Sequence, residues 1–365
     1  MNETLSRPEI LGWLREEHPQ QLEELWRRAD ESRHRHVGDA VHLRGLVEIS
    51  NFCVRQCAYC GLRAGNLSLN RYRLNADEIF VAALQAVRFG YGTIVLQAGE
   101  DDGITTDWLT AVIRRLKAEM PLAVTLSLGE RADEELAAWR EAGADRYLLR
   151  FETSDRALFE VIHPRRGNRP CDRLAILRRL KMLGYETGSG VMVGIPGQTH
   201  ESLATDLALF RELDLDMIGI GPFIPHPATP LGAAPGMFPA ASSDQVPNTE
   251  LMVYKAVALT RLLCPDTNIP ATTALATINR RNGRELGLRR GANVFMPNLT
   301  PLKYRRLYEI YPGKACVTET GDTCHHCLAA RIRGIGRHIG AGPGGRRRPI
   351  FAAPLGFPTC EVCHA

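Results

Sequence analysis

Short apolar runs alternate with helix-spaced apolar stripes along most of the chain. Ser6, followed closely by Pro8, reads as an N-cap opening a helix through Ile10, Leu11 and Leu14. Pro19 breaks it, and a second helix carries Leu22, Leu25 and Trp26 to about Arg33. Runs with β character then follow at Leu43–Ile49, Thr93–Gln97, Ala123–Leu128, Arg146–Phe151, Gly190–Ile195, Met217–Gly221, Ile269–Thr273 and Asn293–Met296. Helical stripes separate most of them. Asn75 with Glu78 three residues on forms a capping box, and Ile79, Ala82, Ala83, Ala86 and Val87 make the buried stripe before Gly90. The pattern returns at Leu109, Val112, Ile113 and Leu116, at Leu174, Leu177, Leu180 and Leu183, and at Leu203, Leu207 and Phe210. Eight strands alternating with helices predict an α/β fold, a (β/α)8 TIM-type barrel, with a doubly wound open sheet as the competing arrangement. The chain divides into an N-terminal helical segment (1–40), the barrel (41–312) and a cysteine-containing C-terminal extension (313–365) ending in a flexible tail. Ala233–Val246, rich in Ala, Gly, Pro and Ser, reads as a surface loop before a helix at Glu250–Leu263.

Composition narrows the function classes. The chain has 365 residues and is 44% hydrophobic, enough for a large core. Its net charge of +4, from 45 basic and 41 acidic side chains, calls for neither nucleic acid nor a membrane surface. The basic run Arg346–Arg348 reads as a solvated tail rather than a site for an acidic partner. No stretch approaches the roughly 18 apolar residues of a membrane span. The polar start lacks a secretory or transit pattern, so the cytoplasm is the expected compartment. Ten cysteines in a reducing compartment point to metal or redox chemistry rather than disulfides.

The chemistry concentrates in Cys53-Val54-Arg55-Gln56-Cys57-Ala58-Tyr59-Cys60, a C-x3-C-x2-C triplet directly after the first strand. A four-iron cubane normally takes four thiolates; three on one short loop leave one iron open to a chelating ligand. Zinc completed by a distant His or Cys is the competing reading. The spacing, the aromatic Tyr59 and the position after strand one together resemble the signature of the radical S-adenosylmethionine (SAM) superfamily. That resemblance implies a 4Fe–4S cluster on Cys53, Cys57 and Cys60, with SAM on the open iron. Reductive cleavage of SAM then yields methionine and a 5′-deoxyadenosyl radical. Tyr59, Gln97, Ala98, Thr125, Ser127, Glu152, Arg173 and Met192 are the SAM-binding candidates, placed in the cysteine loop or near strand ends, with Arg173 set to pair bidentately with a carboxylate. Individually, each also has an ordinary structural reading.

Further stretches resemble the HydE family, radical SAM maturases of iron–iron (FeFe) hydrogenases. They include Val95-Leu96-Gln97-Ala98-Gly99-Glu100-Asp101, Gly221-Pro222-Phe223-Ile224-Pro225-His226-Pro227, Ile269-Pro270-Ala271-Thr272-Thr273-Ala274 and Tyr308-Glu309-Ile310-Tyr311-Pro312-Gly313-Lys314. The resemblance runs over about residues 40 to 350. It implies a role in building the di-iron subcluster of the H-cluster, by radical attack on a cysteine-bound iron carbonyl cyanide. It also implies as partners the tyrosine lyase HydG, the scaffold GTPase HydF and a low-potential electron donor. Arg44, Arg150, Thr272, Thr273, Met296 and Tyr304 are then candidates for the substrate. Adjacent strand residues face opposite ways, so Thr272 and Thr273 can both point inward only if the strand has ended. Cys316, Cys324 and Cys327 match an auxiliary Fe–S cluster that some members carry, with zinc completed by His325 or His326 as the alternative. The tail Cys360-Glu361-Val362-Cys363-His364 falls outside the family pattern. Cys171 and Cys264 read as structural thiols. Methylornithine synthase and biotin synthase share the barrel and cysteine loop, and a non-catalytic metal-binding barrel is the reading from a different class.

Overall fold

The computed structural model describes residues 5–167, 171–234 and 243–346. Two helices, Arg7–Arg15 and Pro19–Val37, precede the sheet, with Ser6 at the expected N-cap and Glu9 completing a capping box with it. The strands are β1 (Ala40–Ser50), β2 (Thr93–Ala98), β3 (Ala123–Ser127), β4 (Arg146–Leu148), β5 (Glu186–Val193), β6 (Met217–Pro222), β7 (Val294–Phe295) and β8 (His338–Ile339). Seven pair in parallel in the order β6-β5-β4-β3-β2-β1-β7. Single bridges close the ring between β6 and β7: Met217 with Asn268, and Pro270 with Val294. The Ile218 N–H donates to Asn268 O at 2.9 Å and the Ala271 N–H to Val294 O at 3.0 Å. A barrel rather than an open sheet is therefore formed.

The strand expected at Ile269–Thr273 is reduced to those bridges. Pro270 has no N–H to give a ladder, and Thr272 already caps a helix at Thr273–Ile278. The run expected at Arg146–Phe151 ends as a regular strand at Leu148, and pairing resumes where Glu152 bridges Val191. The helix stripes stand as expected. In the helix Ala76–Arg88, Ile79, Ala82, Ala83 and Ala86 are buried, and Asn75 Oδ1 accepts the Glu78 N–H at 2.9 Å.

The C-terminal extension adds structure that periodicity did not announce. A helix at Gly321–Gly334 leads to β8, which pairs with Ala40–Val41 of β1. The chain then crosses under the barrel. Pro343 O accepts from Thr93 Oγ1 (2.9 Å) and Arg146 Nη2 (3.1 Å); Gly344 O accepts from Arg44 Nη2 (3.0 Å) and Asn268 Nδ2 (3.1 Å). Arg346, expected in a solvated tail, is a correction: it is largely buried and ends this strap in ion pairs with Asp266 (2.9 Å) and Asp214 (2.6 Å). These partners lie at or beside the N-terminal ends of the strands, so the strap forms the barrel floor. Arg347, Arg348, Cys360, Cys363 and His364 lie outside the described residues, as does part of the expected loop, 235–242.

Candidate active site

The cysteine loop leaves the C-terminal end of β1, the end of a barrel where active sites form. Arg71 stitches the loop together, donating to the carbonyls of Asn51 (2.6 Å), Leu62 (2.8 Å), Arg63 (2.8 Å) and Asn66 (3.2 Å). Backbone bonds anchor it to three other elements: Val54 N–H to Glu100 O, Ala58 N–H to Ile162 O and Gly61 N–H to Ile310 O. Gly99 has to be glycine for this approach, because a Cβ there would lie 2.3 Å from Phe52 O and 2.7 Å from Cys53 Cβ.

Cys53, Cys57 and Cys60 are free and line one cavity of about 330 Å³. Burial pushes all three thiols up, Cys60 to about 12 with the Cys53 sulfur adding to the effect. Three thiols in one wall, Cys57 buried and Cys53 and Cys60 half-buried, suit a metal centre, which takes the thiolate form and releases the protons.

The SAM candidates converge on the same cavity. Tyr59, Gln97, Ala98, Thr125, Ser127, Glu152, Arg173 and Met192 all line it. Two of them carry the marks of a ligand site. The Thr125 hydroxyl is buried with no hydrogen-bond partner among the described residues. Glu152 is buried at a positive φ of 65°, a strained conformation for a side-chain-bearing residue, and its Oε2 lies 3.0 Å from Arg150 Nη2 without hydrogen-bond alignment.

Deeper in the barrel, Arg44, Arg150, Thr272, Thr273 and Met296 line the cavity. Both threonines reach it because the strand has ended, with Thr272 at the helix cap. Thr272 Oγ1 donates to Ile220 O (3.2 Å), and Thr273 Oγ1 accepts from Arg284 Nη2 (3.1 Å). Burial, with Arg146 nearby, lowers the Arg44 pKa to about 9. Tyr304 is a correction: it stands outside the cavity, stacked on Tyr72 at 4.6 Å, with its hydroxyl on Glu78 at 3.0 Å. The turn at Leu302–Arg305 carries it to the outer side of the wall.

Sequence reasoning missed the charged groups around these positions. Glu48 on β1 and Lys314 form a buried ion pair in the cavity wall. Beside the cysteine loop lies a second network. Arg55, between the first two cysteines, pairs with Glu100 (3.0 Å) and Glu130 (2.5 Å). Arg173 donates its Nε–H to Glu130 (2.9 Å), an Nη1–H to Arg150 O (2.6 Å) and Nη2–H groups to Glu100 (3.5 Å) and His163 Nε2. One of its five N–H groups remains among the described residues, so a carboxylate ligand meets a single donor rather than a fork. Burial, helped by Arg173 and Arg55, holds His163 neutral with a pKa of about 2. Cys171 is tied into the network, its thiol donating to Glu130 at 2.9 Å. The residues of this network come from separate stretches; Arg173 was among the SAM candidates, whereas Glu130 and His163 carried no local signal.

In the C-terminal extension, Cys316 sits at φ 64° with its sulfur 3.3 Å from Arg284 Nη1. Cys327 is exposed on the helix Gly321–Gly334. The Cys324 side chain lies outside the description. His325 packs on Phe89 at 4.8 Å, and its Nδ1 is 3.2 Å from the Tyr91 hydroxyl.

Residues 47–210 match the Radical SAM superfamily. The chain is 49% identical over 326 residues to the [FeFe] hydrogenase maturase subunit HydE of Thermotoga maritima, covering 89% of each. The chain belongs to the HydE family. It is 30% identical to a 3-methylornithine synthase of Methanosarcina acetivorans, covering 80% of this chain and 78% of that one. A crystal structure of methylornithine synthase shares the fold with a TM-score of 0.75 at 24% identity, covering 92% of this chain and 94% of that one. Membership makes the chain a radical SAM enzyme of the hydrogenase-maturase type. No helix among the described residues is long and apolar enough to cross a membrane.

Proposed function

We propose that this chain holds a 4Fe–4S cluster on Cys53, Cys57 and Cys60, binds SAM on the open iron, and acts on a cysteine-bound iron carbonyl cyanide during H-cluster assembly. The observation that carries this reading is one cavity lined by three free thiols together with the arginines Arg44, Arg150 and Arg173. With SAM bound, the cluster supplies a 5′-deoxyadenosyl radical.

The chain's own residues bind and orient. Arg173 offers its remaining N–H to the carboxylate of SAM, and the unpartnered Thr125 hydroxyl and the Glu152 carboxylate take polar groups of the same ligand. Met192 and Tyr59 pack with Ala58, Leu158, Ile162 and Phe223 into a small apolar cluster that keeps water from the reacting end. Below it, Arg150 and Arg44 offset the negative charge of an anionic guest, and Thr272 and Thr273 add hydroxyls. Cys316, Cys324 and Cys327 are assigned to an auxiliary cluster that the reaction does not need. HydG as supplier of the guest, HydF as recipient and a low-potential electron donor complete the scheme, placed in the cytoplasm.

Anaerobic reconstitution followed by metal analysis and EPR tests the cofactor assignment. A reduced S = 1/2 signal that changes on adding SAM supports it; tightly held zinc with no iron refutes it. Incubation with SAM, dithionite and lysine tests the substrate, and methylornithine among the products would overturn the maturase reading.

A further inference from the structure

We infer that Glu130 is a positioning residue, which aims Arg173 at the carboxylate of SAM and ties that arginine to the cysteine loop through Arg55. The inference rests on the cofactor assignment proposed above and concerns a residue that does not itself line the cavity, whereas Arg55, Glu100 and Arg173 do.

One oxygen of Glu130 does the joining. Its Oε1 accepts from Arg55 Nη2 at 2.5 Å, Arg173 Nε at 2.9 Å and the Cys171 thiol at 2.9 Å. Arg55 lies between Cys53 and Cys57, and Arg173 starts the helix Arg173–Met182 across the barrel mouth. Glu130 therefore fixes the distance between the cysteine loop and the donor meant for SAM. Burial works against its ionisation, but Arg173, the Cys171 hydrogen bond and Arg55 outweigh it, so the carboxyl stays below its ordinary pKa. The turn that brings it there depends on Gly129 at φ 76°, where a Cβ would lie 1.9 Å from Glu100 Cγ. Glutamates 100 and 130 thus stand side by side behind two arginines, a balanced set of two negative and two positive charges.

Glu130, His163 and Cys171 also place ligand-type atoms within 4.8 Å of one another. Two guanidinium groups already sit on Glu130 Oε1, and their positive charges oppose a metal ion beside it, which argues for a positioning carboxylate over a cation site.

Balanced charge and fixed position make different demands. Glu130→Asp keeps the charge and withdraws the oxygen by about one methylene; Glu130→Gln keeps the shape and loses the charge. The reconstituted holoprotein is reduced and titrated with SAM, following the change in the cluster EPR signal. Wild type fixes the reference: if it holds no cubane or its signal ignores SAM, the cofactor assignment fails before Glu130 is tested. Given a responsive wild type, both variants are expected to retain iron and the SAM-free signal, while half-saturation by SAM rises about tenfold or more, the effect of misaligning a charge-assisted hydrogen bond. In an Arg173→Lys background, Glu130→Asp should add little further, because it acts through that arginine. A Glu130→Asp protein that holds its cluster and saturates with SAM at the wild-type concentration would overturn the inference. So would fully independent effects of the two substitutions. Should Glu130→Gln fail to hold a cluster, Glu130→Asp decides alone.

Discussion

Replacing Lys314 by Met tests whether the wall of the cavity is held by charge. Glu48 has a side-chain exposure of 1% and Lys314 of 5%, and they form an ion pair. Lys314 also donates to Tyr308 O at 3.1 Å. Without Lys314, the Glu48 carboxylate keeps, among the described residues, Asn298 Nδ2 at 3.1 Å and a long contact from Thr300 Oγ1 at 3.5 Å. Breaking a buried pair from one side leaves an uncompensated charge and costs about 3–5 kcal/mol. Removing both charges need not, because the desolvation penalty disappears with them. Urea unfolding under anaerobic conditions at neutral pH, applied to wild type, Lys314→Met, Glu48→Gln and the double variant, measures each term. Lys314→Met should lose about 3–5 kcal/mol, and the double variant should recover at least half of that loss. A Lys314→Met protein within about 1 kcal/mol of wild type, or single losses that simply add, would refute the assignment of this pair as coupled.

Cys57→Ala should abolish SAM cleavage and cluster binding, whereas Cys327→Ala should spare cleavage largely; iron content and 5′-deoxyadenosine yield measure both, and equal loss would move the auxiliary site into the reaction. Gly99→Ala should displace Phe52 and Cys53 and lower iron retention at least severalfold with little change in circular dichroism, since the added methyl meets backbone rather than a flexible chain. Asp206 is buried, with a pKa raised to about 7 by burial against an ordinary 3.8. The folded state therefore keeps a proton that the unfolded chain releases, so stability falls as pH rises from about 4 to 7, by at most about 4 kcal/mol. Asp206→Asn should flatten that slope in melts taken at pH 5 and pH 8, and parallel profiles in the two proteins would count against it.

Periodicity carried the barrel because helix stripes such as Ile79–Ala86 bury one face, and buried parallel strands read as apolar runs. It failed where side-chain pattern and backbone bonding part company. Ile269–Thr273 has β character, yet Pro270 withholds a donor and Thr272 caps a helix, so only bridges form. β8 is two residues long and pairs an exposed His338 with a half-buried Ile339, so it shows no apolar run, whereas the equally short β7 is buried at both positions. The cysteine loop was legible because its ligands are local in sequence. The Glu100–Glu130–Arg55–Arg173 network was not, since no spacing rule links residues that meet only after three crossovers. Tyr304 was misplaced for a related reason: an aromatic near the barrel can pack on either side of its wall, and here Tyr72 and Glu78 take it.

The strap beneath the strands has a consequence for traffic. Among the described residues the tube is stoppered below by Pro343, Gly344 and Arg346, which leaves the mouth beside the cysteines for loading and discharge. With SAM seated there as proposed, the nucleotide would act as the cork, and the guest would go in first and come out last. Ending the chain after Ile339 removes the stopper, and the enforced order of entry should relax with it.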